Sequence, residues 1–340
     1  MDMLIFPFPA YKRMAKKLSK ETGILLGSFA AMRFLNQEVY ITSKTNVSGK
    51  TCIVLGSIAP PDEQLLSILL LSHTLKKEGA KRIILLLPYL GYSRHDKDKK
   101  GESCATACVG QMLAASGVDE VVTIDVHSDV DIDLFPIPLI SLSPTELFAN
   151  VIHEKHLTNA TIVAPDRGAI RRADALALSS QTIFPASYIT KKRTKKSITH
   201  FTLHGDVSKQ VIIIDDILDT GATLLSAVRK LREAGAKEMI IMVTHGLFTG
   251  TLWKKLFKLG VKTIYTTDSV MQKKLKLLGN MRVISIVPLL RHYLTTHKKE
   301  IVMKHIHKGE LEREQHLLLP IEARLTRESM KERRARSWYE

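Results

Sequence analysis

One stretch of this chain occurs twice, and the repetition dictates the architecture. Leu75 to Ser93 recurs as Leu231 to Thr249, each copy holding a helix end, a glycine (Gly79 or Gly235), an apolar run and a glycine-containing loop. Flanking segments repeat as well. Gly117 to Asp125 parallels Gly260 to Asp268, and Thr51 to Ser57, ahead of a helix over about Asp62 to Lys77, parallels the segment around residues 211–223. A period this long is a duplicated domain rather than a solenoid. Strand and helix patterns alternate within each copy, which predicts an α/β protein of two tandem, doubly wound parallel-sheet domains related by duplication. Residues 1–145 are expected to form one domain and 146–297 the other, with a cleft between them.

The second copy carries the most specific motif. Val211 to Ile214 reads as a buried strand that turns acidic at Asp215 and Asp216, and the loop Asp219, Thr220, Gly221, Ala222, Thr223 then opens a helix. Backbone N–H groups at a helix N-terminus, joined by two Thr hydroxyls, suit a phosphate monoester. The two carboxylates would repel that phosphate. They make sense as acceptors for sugar hydroxyls or as partners of a divalent cation at the carboxyl edge of the sheet. An ordinary strand-to-helix turn capped by Asp is the plain alternative, and the combined string is more specific than that.

Composition narrows the class. The 340 residues are 45% hydrophobic and 25% charged, as in globular proteins, and long enough for two cores. The net charge of +16 invites a nucleic-acid partner, but the basic residues are dispersed with few aromatics among them. A basic surface equally steers small polyanionic substrates. Cys52, Cys104 and Cys108 lack metal-site spacing and point to a reducing, cytoplasmic setting. The first ten residues lack the basic leader of a signal peptide, and no apolar stretch approaches the roughly 20 residues that span a bilayer.

The run from Val211 to Thr223 resembles the phosphoribosyl pyrophosphate loop shared by type I phosphoribosyltransferases and the ribose-phosphate pyrophosphokinases. The duplication favours the latter, which are built from two such halves. Further motifs follow in that family's order from about residue 5 to residue 297. Pro88 to Lys97 resembles the family's Pro-Tyr-x-x-Tyr-Ala-Arg-Gln-Asp string, so Arg94, His95 and Asp96 are implied to bind ATP, with His95 in place of the usual Gln. Phe34, Asn36 and Glu38 resemble the adenine-binding element, which in the family reaches a neighbouring subunit's site. Asp125 to Ser128 resembles Asp-Leu-His-Ala, making His127 a magnesium ligand, and Pro165 to Gly168 resembles the element whose Asp, here Asp166, belongs to the metal site. Tyr188 to Lys196 reads as a mobile basic surface loop, with a charged hairpin tip as the plain alternative, and resembles the family's catalytic loop, with Lys191 and Arg193 at the spacing of its catalytic pair. Thr244 to Gly250 resembles the family's Thr-His-Gly loop near ribose phosphate.

The resemblance implies Mg2+-dependent transfer of pyrophosphate from ATP to the C1 hydroxyl of ribose 5-phosphate, giving 5-phosphoribosyl 1-pyrophosphate and AMP. Asp215 and Asp216 would hold the ribose hydroxyls, and Asp219 to Thr223 the 5-phosphate. It also implies a homo-oligomer built from dimers, with a hexamer left open. A non-catalytic associated subunit is disfavoured by Lys191 and Arg193, and a type I phosphoribosyltransferase by the duplication. No Gly-x-x-x-x-Gly-Lys-Ser/Thr string occurs, which excludes a P-loop kinase. Val130 to Phe135 replaces the family's Gln-Ile-Gln-Gly-Phe-Phe, and Ser48 stands where an Arg is usual, so phosphate activation and ADP inhibition are not carried over. Residues 298–340 mix Glu and Arg and read as a charged, helical extension.

Overall fold

Runs of β-branched and leucine residues too apolar to face water on either side become the central strands of two sheets. The computed structural model describes residues 2–60, 62–97, 99–183, 186–193, 199–271 and 279–296. The extension expected over 298–340 lies outside them. Both sheets belong to one compact unit, Asp2–Leu290.

The first half contains β1 (Met3–Pro7), α1 (Lys12–Thr22), β2 (Leu25–Leu26), β3 (Phe29–Arg33), β4 (Val39–Ser43), β5 (Thr51–Leu55) and α2 (Glu63–Lys77). It continues through β6 (Arg82–Leu87), α3 (Ala105–Ala115), β7 (Glu120–Ile124), α4 (Val130–Leu134) and β8 (Leu139–Leu142). After α5 (Thr145–Glu154), the second half runs β9 (Thr161–Ala164), α6 (Ile170–Ser180), β10 (Ser187–Arg193), β11 (Thr199–His204) and β12 (Gln210–Leu218). α7 (Ala222–Glu233), β13 (Glu238–Gly246), β14 (Val261–Thr267) and β15 (Met281–Ile284) complete it.

The sheet orders are β2-β1-β5-β6-β7-β8 and β11-β10-β9-β12-β13-β14-β15. Replacing β1 by β9, β2 by β10, β5 by β12 and each later strand by its counterpart converts the first order into the second, with β11 added at the edge. All pairings in both sheets are parallel except β10 with β11. Parallel strands need crossovers covering both faces, which is why β5 and β7 are buried along their whole length. The repeated glycines also have matching geometry. Gly79 and Gly235 follow α2 and α7 at φ 84° and 97°, a region where a side chain would be strained.

Of the segment expected over Tyr188–Lys196, residues 188–193 belong to β10, paired with β11 from Tyr188↔His204 to Arg193↔Thr199, which favours the hairpin over the surface loop, and residues 194–196 lie outside the described residues. Ile189 is fully buried and the Tyr188 and His204 rings stack at 4.7 Å, so cross-strand contacts order a segment whose lysines alone read as loop. β3 and β4 form a separate antiparallel hairpin.

Candidate active site

The carboxyl ends of both sheets open on one cleft of about 1300 Å³. From the first half it is lined by Arg94, His95, Asp96 and His127; from the second by Asp166, Asp215, Asp216 and Asp219 to Thr223. All of these were expected at the site from sequence.

Asp215 and Asp216 lie near the carboxyl end of β12, and Asp216 N–H donates to Asp215 Oδ1 at 3.0 Å. Asp215 is 9% exposed and Asp216 5%, so the pair has little water to solvate two charges. Burial, reinforced by the Asp216 and Asp166 charges, pushes the Asp215 carboxyl well above its ordinary range. Burial also works against ionisation of Asp216. The His127 hydrogen bond and the Arg172 charge outweigh it, and Asp216 is held below its ordinary value. His127 Nδ1 lies 2.6 Å from Asp216 Oδ2, and that hydrogen bond raises the imidazole's affinity for its proton.

The phosphate-like loop has the expected backbone. Gly221 caps α7 at φ 86°, and a Cβ there would meet Trp253 Cα at 2.9 Å, so only glycine suits the turn. N–H groups of the first turn of α7 lack intrahelical partners and carry the positive end of its dipole. Arg94 reaches across from the loop after β6 and donates to Asp219 Oδ2 at 2.9 and 3.0 Å. That loop is fixed by Gly91, where a Cβ would stand 2.6 Å from Ile58 O, and by Thr106, whose hydroxyl donates to Tyr92 O at 3.1 Å.

Asp166 caps the turn before α6: its Oδ1 accepts from Gly168 N at 2.9 Å and Ala169 N at 3.3 Å. The described residues contain no group of three or more His, Cys, Asp or Glu able to hold a metal ion. Mg2+ does not require one, because it is commonly held by one or two protein carboxylates together with substrate phosphates. Asp166 Oδ2 makes no hydrogen bond among the described residues, and its charge adds to that of the acidic pair, so the donor set fits a hard cation.

Other expected residues are not brought to the cleft. Phe34, Asn36 and Glu38 occupy the tip of the β3–β4 hairpin, where Phe34 N–H donates to Glu38 O at 3.0 Å and Asn36 Oδ1 accepts from Glu38 N at 3.2 Å. Phe34 is 55% exposed and none of the three lines the cleft. Lys191 is exposed on β10 opposite Phe201 and is not a lining residue. Arg193 closes the same strand, and its side chain lies outside the described residues. In the Thr-His-Gly segment His245 is buried, with Nε2 3.0 Å from Ile124 O and Nδ1 2.8 Å from Ser269 Oγ.

Sequence reasoning assigned no role to Arg172, which donates to Asp125 Oδ1 at 2.7 Å and to Val126 O at 2.9 Å and lies 3.8 Å from Asp216 Oδ2. Its only signal was a second arginine beside Arg171 on a helix that begins at the Asp166 turn.

Comparison with known proteins points to one family. Residues 3–117 match the N-terminal domain of ribose phosphate pyrophosphokinase, and residues 133–264 match the phosphoribosyl transferase domain. A ribose-phosphate pyrophosphokinase of Corynebacterium glutamicum is 30% identical over 296 residues, covering 85% of this chain and 90% of the relative. One from Fusobacterium nucleatum is 32% identical over 291 residues, covering 84% and 92%. The crystal structure of phosphoribosylpyrophosphate synthetase from Mycobacterium smegmatis superposes with a TM-score of 0.80 at 30% identity, covering 88% of this chain and 100% of that one.

Proposed function

The chain belongs to the ribose-phosphate pyrophosphokinases, and on that premise we propose how its residues divide the reaction between two substrates. The enzyme joins ribose 5-phosphate to the pyrophosphoryl group of ATP, giving 5-phosphoribosyl 1-pyrophosphate and AMP for nucleotide biosynthesis. The C1 hydroxyl oxygen attacks the β-phosphorus, the bond from that phosphorus to the bridging oxygen breaks, and AMP leaves with that oxygen while the hydroxyl proton is lost.

Asp219 to Thr223 hold the 5-phosphate on the N-terminus of α7, and Asp215 and Asp216 accept hydrogen bonds from the ribose hydroxyls. Arg94, with His95 and Asp96 beside it, binds the triphosphate. Lys191 and Arg193 neutralise charge on the transferring group, which is where catalysis of phosphoryl-type transfer is concentrated. Asp166 and His127 would hold Mg2+, which supplies neutralisation of the triphosphate when bound. The observation that carries this reading is the Arg94–Asp219 contact: a cation suited to phosphate and the phosphate-binding loop face the same space.

The adenine-binding residues Phe34, Asn36 and Glu38 serve a neighbouring copy, so the working form is a homo-oligomer. Support comes from the hairpin's exposed apolar tip, where Leu35 is fully exposed and Met32 53% exposed. We divide the chain into domains at 1–145 and 146–297 on the strength of the sequence repeat, and infer a cytoplasmic setting from the cysteine reading. Among the described residues no helix is long and apolar enough to cross a membrane. The test is direct: purified protein given Mg·ATP and ribose 5-phosphate releases AMP in step with phosphoribosyl pyrophosphate, and no AMP at high enzyme concentration would refute the assignment.

A further inference from the structure

His127 follows a residue pair held from both halves of the protein: Asp125 N–H donates to Leu142 O and Val126 N–H to Ser141 Oγ, each at 2.9 Å within the first half, while side chains of the second half take the remaining groups. Just past β7, Asp125 adopts φ 46°, a left-handed conformation uncommon for a side-chain-bearing residue and favoured where surrounding contacts support it. The contacts to its carboxylate come from the second half. Arg172 of α6 donates to Asp125 Oδ1 at 2.7 Å, and Thr244 of β13 donates its hydroxyl to Asp125 Oδ2 at 2.5 Å. Arg172 also donates to Val126 O at 2.9 Å and, more weakly, to His127 O at 3.4 Å. Both oxygens of the Asp125 carboxylate are thus engaged by second-half side chains, and the 11% side-chain exposure leaves it poorly placed to take a cation or a substrate.

We infer that Asp125, Arg172 and Thr244 form a positioning triad that holds the β7 turn in its left-handed conformation and so aims His127 at Asp216. The triad works through His127 and Asp216 and touches no substrate. Arg172 suits the task because its planar fork satisfies a carboxylate and two backbone carbonyls at once, whereas a lysine ammonium on the same stem has no such fork. The carboxyl ends of β7 and β12 are thereby locked in one register, which puts the candidate metal ligand of the first half against the acidic pair of the second.

The inference rests on the proposed reaction only for its kinetic arm. In the free protein, the hydrogen bond between His127 Nδ1 and Asp216 is read directly from the imidazole nitrogen resonances of the full chain, with and without Arg172→Lys, Asp125→Asn and Thr244→Val. The triad predicts that the hydrogen-bond signature is lost or averaged in Arg172→Lys and Asp125→Asn while the melting transition stays cooperative. Kinetically, turnover falls about 10- to 100-fold in these variants, the range typical when a group supporting a metal ligand is removed. KM for ribose 5-phosphate stays within about threefold, because the Asp219 to Thr223 loop is untouched. Exogenous guanidinium at non-denaturing concentration restores part of the turnover of Arg172→Ala. Thr244→Val, which deletes one hydrogen bond at nearly constant volume, keeps the fold should the charged variants lose it, and shows the same pattern at smaller amplitude. An intact His127 signature in all three variants overturns the inference, as does a loss of turnover matched by loss of ribose 5-phosphate binding. A wild type that releases no AMP would refute the proposed function and leave the resonance arm to decide the triad.

Discussion

Arg94 places both terminal guanidinium nitrogens on a single oxygen of Asp219, joining the loop after β6 to the loop that opens α7. The pair is partly exposed, with side chains 46% and 24% accessible, so it contributes at most about 1 kcal/mol to stability. Its significance is chemical. A cation held by one carboxylate oxygen keeps donors for phosphate, and a polyanion entering the cleft competes with Asp219 for them.

Replacing Arg94 by Ala is therefore expected to raise KM for ATP at least about tenfold, since a hydrogen bond to a charged group is worth roughly 1.5–3 kcal/mol. The melting temperature should change little. Initial rates over a range of Mg·ATP check this, and an unchanged KM would remove Arg94 from the triphosphate site.

Asp215 gives a prediction of opposite sign for stability and activity. Burial raises its folded pKa above the unfolded value, so its contribution is most favourable below the unfolded carboxylate range near 4 and is lost as pH rises through the folded pKa. Asp215→Asn removes that penalty. The variant should gain melting temperature over wild type at pH 8, gain less at pH 4.5, and lose turnover at both. Paired thermal melts at the two pH values check it; equal gains would show that the carboxylate carries no burial penalty.

Gly221 tests the phosphate loop. An alanine there must keep φ 86° and would press its Cβ on the Trp253 backbone at 2.9 Å. The expected cost is about 1–3 kcal/mol of stability with a marked rise in KM for ribose 5-phosphate. Chemical denaturation and substrate titration measure the two effects separately.

What could be read from the sequence was local or repeated. Val211 to Asp216 could be recognised because a buried parallel strand must be continuously apolar, and the recurring Gly79 and Gly235 marked equivalent helix ends. The grouping of Asp125, Arg172 and Thr244 could not be, because residues 119 positions apart meet only after both sheets have formed. The burial of His245 was equally out of reach, since its ring is closed in between β7 and the residues after β14. In β10, the lysines spoke for solvent while Ile189, invisible among them, fixed the strand.

Lys191 and Arg193 carry the proposed stabilisation of the transferring group. Lys191→Ala with Arg193→Ala should reduce turnover by at least about a thousandfold, as removal of a transition-state cation does in other phosphoryl transfers. Calorimetric binding of ribose 5-phosphate should persist. Turnover near that of wild type would place catalysis elsewhere in the cleft.

The central claim is that the two halves bring an acceptor sugar and a pyrophosphoryl donor into one cleft. It is tested most directly by following ATP labelled at its β-phosphorus in the presence of ribose 5-phosphate and Mg2+. The account predicts that the label moves into phosphoribosyl pyrophosphate with one AMP released for each transfer. Label appearing in ADP, or remaining in ATP while no AMP forms, would contradict it.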